Sequence, residues 1–364
     1  MSIRELQVKL QEDGWCQNTC YPPMQDTYLS EHPAKGQCAV TALLVQKMFG
    51  GDIVKNTEFN HYFNVIESNV VDLTREQFAE DVQCNTISDI VNRNDLLKGH
   101  TKERYEILVD RVFPFISCKC ITYGRVRLLE ESLNSFLLQD YPGRKEMIIV
   151  NDYPLQKLHF DHPEVKIYNL DETFLTIGEK ENYAVERCNG ELIAVWDDDD
   201  VALSNHLMNI AKFWKRGSSV LHWHKAVYYN EPSITAITGV GNSGIVYAKD
   251  NWKQIGGHPL ENAGYDISLV VRLYKTGPKC FGEPADEQVS WFYMWGGRDY
   301  HMSGQGTDTP DRENIVQRHS AHIELMRHQG NIPTGDITLK PYWKYDYQKM
   351  LNDYVSRLHN TNVQ

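Results

Sequence analysis

Glu191-Leu-Ile-Ala-Val-Trp196 runs straight into Asp197-Asp198-Asp199-Asp200. A short apolar run bounded by turn residues predicts a buried strand. Four adjacent carboxylates repel one another and favour solvent or a cation, so they belong at the strand's end rather than inside the sheet. Working outward, Asn189-Gly190 closes a helix predicted over 179–188. Further strands are predicted over 115–121, 146–150 and 165–168, and an amphipathic helix over 127–139 is broken by Tyr141-Pro142-Gly143. Strand-helix alternation of this kind predicts an α/β unit with a mostly parallel sheet and helices on both faces. Ligands bind such sheets just past the carboxyl ends of strands, where Asp152 and the acidic run both fall. A solvated acidic turn is the alternative. Hard oxygen ligands select Mg²⁺ or Mn²⁺, typically held by one or two carboxylates together with substrate phosphates.

The whole chain has 364 residues, 41% of them hydrophobic, which suits two packed domains. Its formal net charge of −12 disfavours an extended surface for phosphate backbones, leaving only a local basic groove open to nucleic acid. The start, MSIRELQVKLQEDGW, has no apolar core of the kind a secretion signal needs, and no apolar run is long enough to span a bilayer. The eight cysteines contain no pair of CxxC motifs, so a zinc site or disulfide framework is not expected. The expectation is a cytoplasmic protein.

Residues 113–305 resemble a family-2 glycosyltransferase domain of the glycosyltransferase-A fold. The segment PFISCKCITYGRVRLLEESLNSFLLQDYPGRKEMIIVND resembles that family's opening strand, helix and second strand. Asn182, Gly190-Glu191 and Asp197-x-Asp199-Asp200 match its Asn…Gly-Glu…Asp-x-Asp-Asp stretch in order and spacing. The resemblance implies a nucleotide-sugar donor, a UDP-sugar, and a hydroxyl-bearing acceptor. It assigns the donor to Thr122, Tyr123, Arg125, Asp152, Asn182 and Asp197, and a Mn²⁺ or Mg²⁺ ion to Asp199 and a late histidine, His301. Asp198 is then spare, and Asp200 a supporting candidate. Asn151 stands where the family usually has an acid. Gly264-Tyr265-Asp266 resembles the Glu-Asp motif, with Tyr265 replacing the Glu and Asp266 as general base of an inverting transfer. Capping of the following helix is the alternative role for Asp266. Arg298 is a candidate to offset diphosphate charge. His222 and His224 share one face of a predicted strand, as metal ligands, acceptor lining or plain packing.

Residues 20–85 resemble a different family, the uncharacterised YunG-like bacterial proteins, through Gly36-Gln-Cys38-Ala-Val-Thr-Ala-Leu43, His61-Tyr-Phe-Asn64 and Asp72-Leu-Thr-Arg-Glu-Gln-Phe78. The order Cys38, His61, Asp72 also resembles papain- and transglutaminase-like cysteine enzymes. A thiol at a helix N-terminus beside an imidazole is the arrangement such chemistry uses. Gln37 is then a candidate oxyanion donor, and Asp72 the group that orients His61. The alternative is a buried helix cysteine, a strand histidine and a helix-entry aspartate. Elsewhere in this part the sequence predicts a helix over 38–49, strands over 52–55 and 61–66, a helix starting near 74, and a helical connector over 96–111.

The resulting expectation is a small α+β papain/transglutaminase-like domain over 1–110, a Rossmann-like glycosyltransferase-A domain over 111–305, and a helical, aromatic extension over 306–364. The leading function is metal-dependent sugar transfer. The alternatives are a cysteine hydrolase or acyltransferase with a sugar-nucleotide-binding second domain, a transferase acting on hydroxylated bases of modified DNA, and a binding module with both sites inactive.

Overall fold

A computed structural model describes residues 1–84, 86, 89–239, 244–262, 264–294, 321 and 324–361. The chain divides into two compact units, Met1–Pro114 with Pro142–Arg144, and Phe115–Tyr141 with Lys145–Gln364.

In the first unit, α1 (Ile3–Lys9) is opened by a capping box between Ser2 and Glu5. Its core helix is α2 (Cys38–Phe49), buried continuously from Ala39 to Val45 and stopped by Gly50. Against it lies an antiparallel sheet of β1 (Asp52–Asn56), β2 (His61–Ile66), β3 (Asn69–Val71) and β4 (Asp89–Val91), in the order β3-β2-β1-β4. The helix expected near 74 is instead one 3₁₀ turn, Arg75–Gln77. Asp72 Oδ1 there accepts from Thr74 N and Oγ1, and Arg75 donates to the carbonyls of Phe78, Ala79, Glu80 and Val82. Those side-chain bonds compete with helical pairing and curl the chain into a loop. After α3 (Arg93–Leu96), α4 (Gly99–Val112) buries Tyr105, Leu108 and Val112. It is therefore an integral core helix of this unit, not a connector.

The second unit carries a seven-stranded sheet built from β5 (Ile116–Thr122), β6 (Lys145–Asn151), β8 (Val165–Asn169), β9 (Leu192–Val195), β11 (Val220–Trp223), β14 (Val246–Ala248) and β15 (Lys279–Gly282). The order is β15-β11-β14-β9-β5-β6-β8, and β14 alone runs antiparallel to its neighbours. The helices α5 (Val126–Leu137), α6 (Ile177–Arg187), α7 (His206–Phe213), α8 (Lys249–Gln254) and α9 (Tyr265–Leu273) follow or separate these strands. One core cluster joins Ile148, Val150, Val185, Ile193, Tyr247 and Leu269. This is the mostly parallel α/β architecture the strand-helix alternation predicts.

A second sheet pairs β10 (Val201–Ala202), β16 (Trp291–Met294), β12 (Ala226–Asn230) and β13 (Ser233–Thr238) in that order. The C-terminal stretch is woven into this unit rather than appended to it. There β17 (Gly335–Thr338) pairs with β7 (Gln156–His159), and α10 (Tyr347–Thr361) sends Tyr347, Leu351 and Val355 into a core with Val227 and Phe292. The last helix, expected as a surface element, is thus a core element, because its apolar residues repeat at the four-residue spacing of one helical face. Among the described residues, no helix is long and apolar enough to cross a membrane.

Candidate active site

The acidic run sits at the carboxyl end of β9, as its position after an apolar strand requires. Trp196 locks the exit: its N–H donates to Lys119 O at 2.9 Å and its indole to Ser132 O at 3.1 Å. The four aspartates then diverge in role. Asp197 is half-buried and its carboxyl is pushed up to about 7, first by burial and then by the charge of Asp199, with Lys119 opposing. Asp198 is almost wholly buried and receives Arg125 through both Nε and Nη2, so the residue expected to be spare is the most tightly held. Asp199 accepts from Arg125 Nη1 at 2.8 Å. Asp200 accepts from Trp291 Nε1 at 3.1 Å and Met294 N at 2.9 Å, which makes it a strut for β16.

Arg125 stands just before α5 and was assigned to the donor by resemblance; its guanidinium spans Asp198 and Asp199. Two of the four carboxylates thus have a counter-charge, while Asp200 is held by neutral N–H donors.

At the end of β6, Asp152 is buried, with one carboxylate oxygen on Lys180 and the other accepting from Phe174 N at 3.1 Å. Lys180 also donates to Thr122 O at 2.7 Å, tying the ends of β5 and β6 together. Tyr123 packs edge-on against Tyr153 with ring centroids 4.9 Å apart. Asn151 is consumed internally: its amide donates to Gln156 O and Asn169 Oδ1 and its carbonyl accepts from Tyr153 N. An acid there would lose the two donated bonds, which gives the departure from the family pattern a structural reason.

Asn182, a donor-binding candidate by resemblance, is bonded within the protein. Its Oδ1 accepts from His258 N at 2.7 Å and its Nδ2 donates to His258 O at 3.0 Å, clamping the loop that leads to α9. That helix opens on Gly264 with no side-chain cap, so Asp266, in its first turn and half-exposed, is not a helix cap. Beside it, the Tyr265 hydroxyl is raised first by burial, then by Glu181, Asp197 and Asp266.

Two buried ion pairs support this arrangement and were not read from the sequence. Lys119, mid-strand in β5, pairs with Glu181 of α6, and Lys180 pairs with Asp152. The readable signal for the first was a lysine inside an otherwise apolar strand. Gly190 has a different necessity: a Cβ there would lie 2.6 Å from Ser117 N and 2.7 Å from Phe115 O. The family's glycine is thus the residue that lets β9 approach the start of β5.

The residues present fit a divalent ion held mainly by substrate phosphates. Asp197 is the least buried of the four, and Asp199 keeps more exposure than Asp198, so these two carboxylates are the ones able to face a ligand. His301 and Arg298 lie outside the described residues. His222 is a packing residue, with Nε2 2.8 Å from Tyr274 Oη, whereas His224 is exposed, with Nδ1 3.6 Å from Glu283 Oε2; both rings lie tilted against Phe281.

In the first unit, His61 Nε2 lies 2.8 Å from Asp72 Oδ2, and the ring is hydrogen-bonded to Cys38. Burial works against the charged imidazole, but those two partners outweigh it and raise His61 to about 9. Gln37 Nε2 donates one hydrogen to Cys16 O at 3.0 Å.

Two family models match the chain. The YunG protein model covers residues 2–117, and so spans far more than the 20–85 stretch that carried the resemblance. The Glycosyl transferase family 2 model covers residues 120–276. A curated relative, the uncharacterized protein YunG of Bacillus subtilis (strain 168), is 36% identical over 83 residues, covering 22% of this chain and 70% of that protein. Among solved structures, S. aureus TarS 1-349 is similar with a TM-score of 0.40 and 16% identity, over 57% of this chain and 65% of that one. The same protein in complex with UDP-GlcNAc gives 0.44 at 16%, over 67% and 72%. Mannosyltransferase PcManGT from Pyrobaculum calidifontis, in complex with GDP-Man and Mn²⁺, gives 0.37 at 13%, over 60% and 72%. The chain thus belongs to the YunG family through its first unit and carries in its second a family-2 glycosyltransferase domain, which makes it a glycosyltransferase.

Proposed function

We propose that the second unit is an inverting transferase that moves a sugar from a UDP-sugar donor onto an acceptor hydroxyl. The observation that carries this reading is the acidic run at the carboxyl end of β9, where Arg125 holds Asp198 and Asp199 while Asp197 stays partly exposed. Asp266 takes the acceptor's proton as its oxygen attacks the anomeric carbon from the face opposite the leaving diphosphate, and the configuration inverts. Asp197 receives the donor ribose, with Thr122 and Tyr123 lining the base end. Arg125 holds the orientation of Asp198 and Asp199. Asp199, with His301 as the further ligand, would hold Mn²⁺ or Mg²⁺, which supplies charge neutralisation for the diphosphate.

The test is a thermal-shift screen of nucleotide sugars with and without Mn²⁺. Stabilisation by a UDP-sugar that requires the metal and disappears in Asp199→Asn is the expected result. Asp266→Asn should bind the donor normally and lose transfer by roughly 100-fold or more. Donor affinity indifferent to both metal and Asp199 would overturn the reading.

A further inference from the structure

We propose that Cys38, His61 and Asp72 form a second catalytic centre, a thiol acyl-transfer site in the first unit that acts on an amide or ester. Three features build it. Cys38 is the first residue of a twelve-residue helix, α2, where backbone N–H groups have no intrahelical acceptor and the helix dipole favours developing negative charge. It keeps partial exposure, whereas Cys20 and Cys84 of the same unit are buried. His61 is fully buried in β2, held through Nε2 by Asp72 at 2.8 Å and hydrogen-bonded to Cys38, with Gln77 Nε2 3.3 Å from its Nδ1. The buried Arg104 guanidinium adds positive potential near the thiol while donating to Thr19 O and Gly36 O.

Gly36, two residues before Cys38, has φ 73, and a Cβ there would lie 2.7 Å from Cys20 Sγ. A cleft of about 370 Å³ lies on the Asp72 side of the set, walled by Asp72, Leu73, Arg75 and Phe78 but not by Cys38 or His61, and Phe78 packs edge-on against His61 with centroids 4.8 Å apart. That volume is of small-ligand size.

In the reaction, Cys38 Sγ bonds to the acyl carbon while His61 holds the thiol's proton. His61 then gives that proton to the departing amine or alcohol, leaving a thioester on Cys38. Water attacks the thioester, its proton passes to His61, and the acid leaves as the Cys38 thiol re-forms. The Cys38 amide N–H, at the helix start, is placed to receive the acyl oxygen.

A metal centre is the competing use of these residues, since His61, Asp72 and Cys84 bring ligand atoms within 4.8 Å of one another. The bonding disfavours it. Asp72 Oδ2 already meets the imidazole, its Oδ1 accepts from Thr74 N and Oγ1, and burial pushes the Cys84 thiol up.

The test uses the full-length protein and p-nitrophenyl acetate. A burst of nitrophenolate should accompany an acetyl thioester mapped by peptide mass spectrometry to Cys38 and not to Cys16, which is also partly exposed. Cys38→Ser should abolish the burst, His61→Ala should slow it by roughly 100-fold, and Cys84→Ser should leave it unchanged. If His61→Ala fails to fold by circular dichroism, Asp72→Asn carries the same test. Equal acetylation of Cys16 and Cys38, or a Cys38 rate indifferent to His61 and Asp72, would overturn the proposal. So would a stoichiometric zinc ion retained in Cys38→Ser and lost in Cys84→Ser.

Discussion

Replacing Lys119 by Met tests how the acidic run is supported from within the sheet. Lys119 and Glu181 are each nearly sealed from solvent, with side-chain exposures of 2% and 4%. Removing one partner leaves a buried, uncompensated carboxylate, at a cost of about 3–5 kcal/mol. With a denaturant slope of about 3 kcal/mol/M, the urea midpoint of the second unit should fall by about 1–1.7 M. Tryptophan fluorescence is a suitable probe, because among the described residues Trp15 is the one tryptophan in the first unit and Trp196, Trp214, Trp223, Trp252, Trp291 and Trp343 lie in the second. The double replacement Lys119→Met/Glu181→Leu removes both charges and should recover most of the loss, because desolvating an ion pair offsets much of its attraction. There is a functional consequence as well. Lys119 opposes the upward push on Asp197, so its loss should move the pH at which donor binding sets in to higher values. A single-variant cost below about 1 kcal/mol, or a double variant whose loss equals the sum of the singles, would show that the pair is not a coupled buried unit.

Gly190→Ala should destabilise the second unit by about 1–3 kcal/mol, read by the same urea titration, because its Cβ would press on the backbone of Phe115 and Ser117. The stability of the first unit should depend on pH through His61, whose folded value of about 9 exceeds the ordinary imidazole value of 6.5. That contribution, about 3 kcal/mol, is fully present below pH 6.5 and is lost as pH rises through 9. Hydrogen exchange in α2 at the two pH values would measure it, and Asp72→Asn should flatten the dependence. Leu351→Ala should cost about 2–5 kcal/mol in a thermal or urea melt if α10 is a core element; a neutral effect would return that helix to the surface.

Much of the second unit is legible in the sequence because its strands are short apolar runs and its helices carry a 3.6-residue pattern, each a local signal. The same holds for α2, whose apolar run and Gly50 stop mark both ends. The turn at Arg75 was not legible as a loop, since it depends on one arginine reaching four carbonyls. The burial of α10 depends on Val227 and Phe292, residues remote in the chain.

The sequence by itself determined that carboxylates stand at the ends of parallel strands, and that a cysteine begins a helix ahead of a histidine and an aspartate. Charge repulsion and strand periodicity are properties of neighbouring residues, so no tertiary information was needed. What each group does was decided only by the folded chain. Asp198 belongs to Arg125, Asp200 to Trp291 and Met294, and Asn182 to the backbone of His258. Asp72 belongs to His61. A hydrogen bond depends on distance and angle between groups far apart in sequence, and only the packed structure sets those.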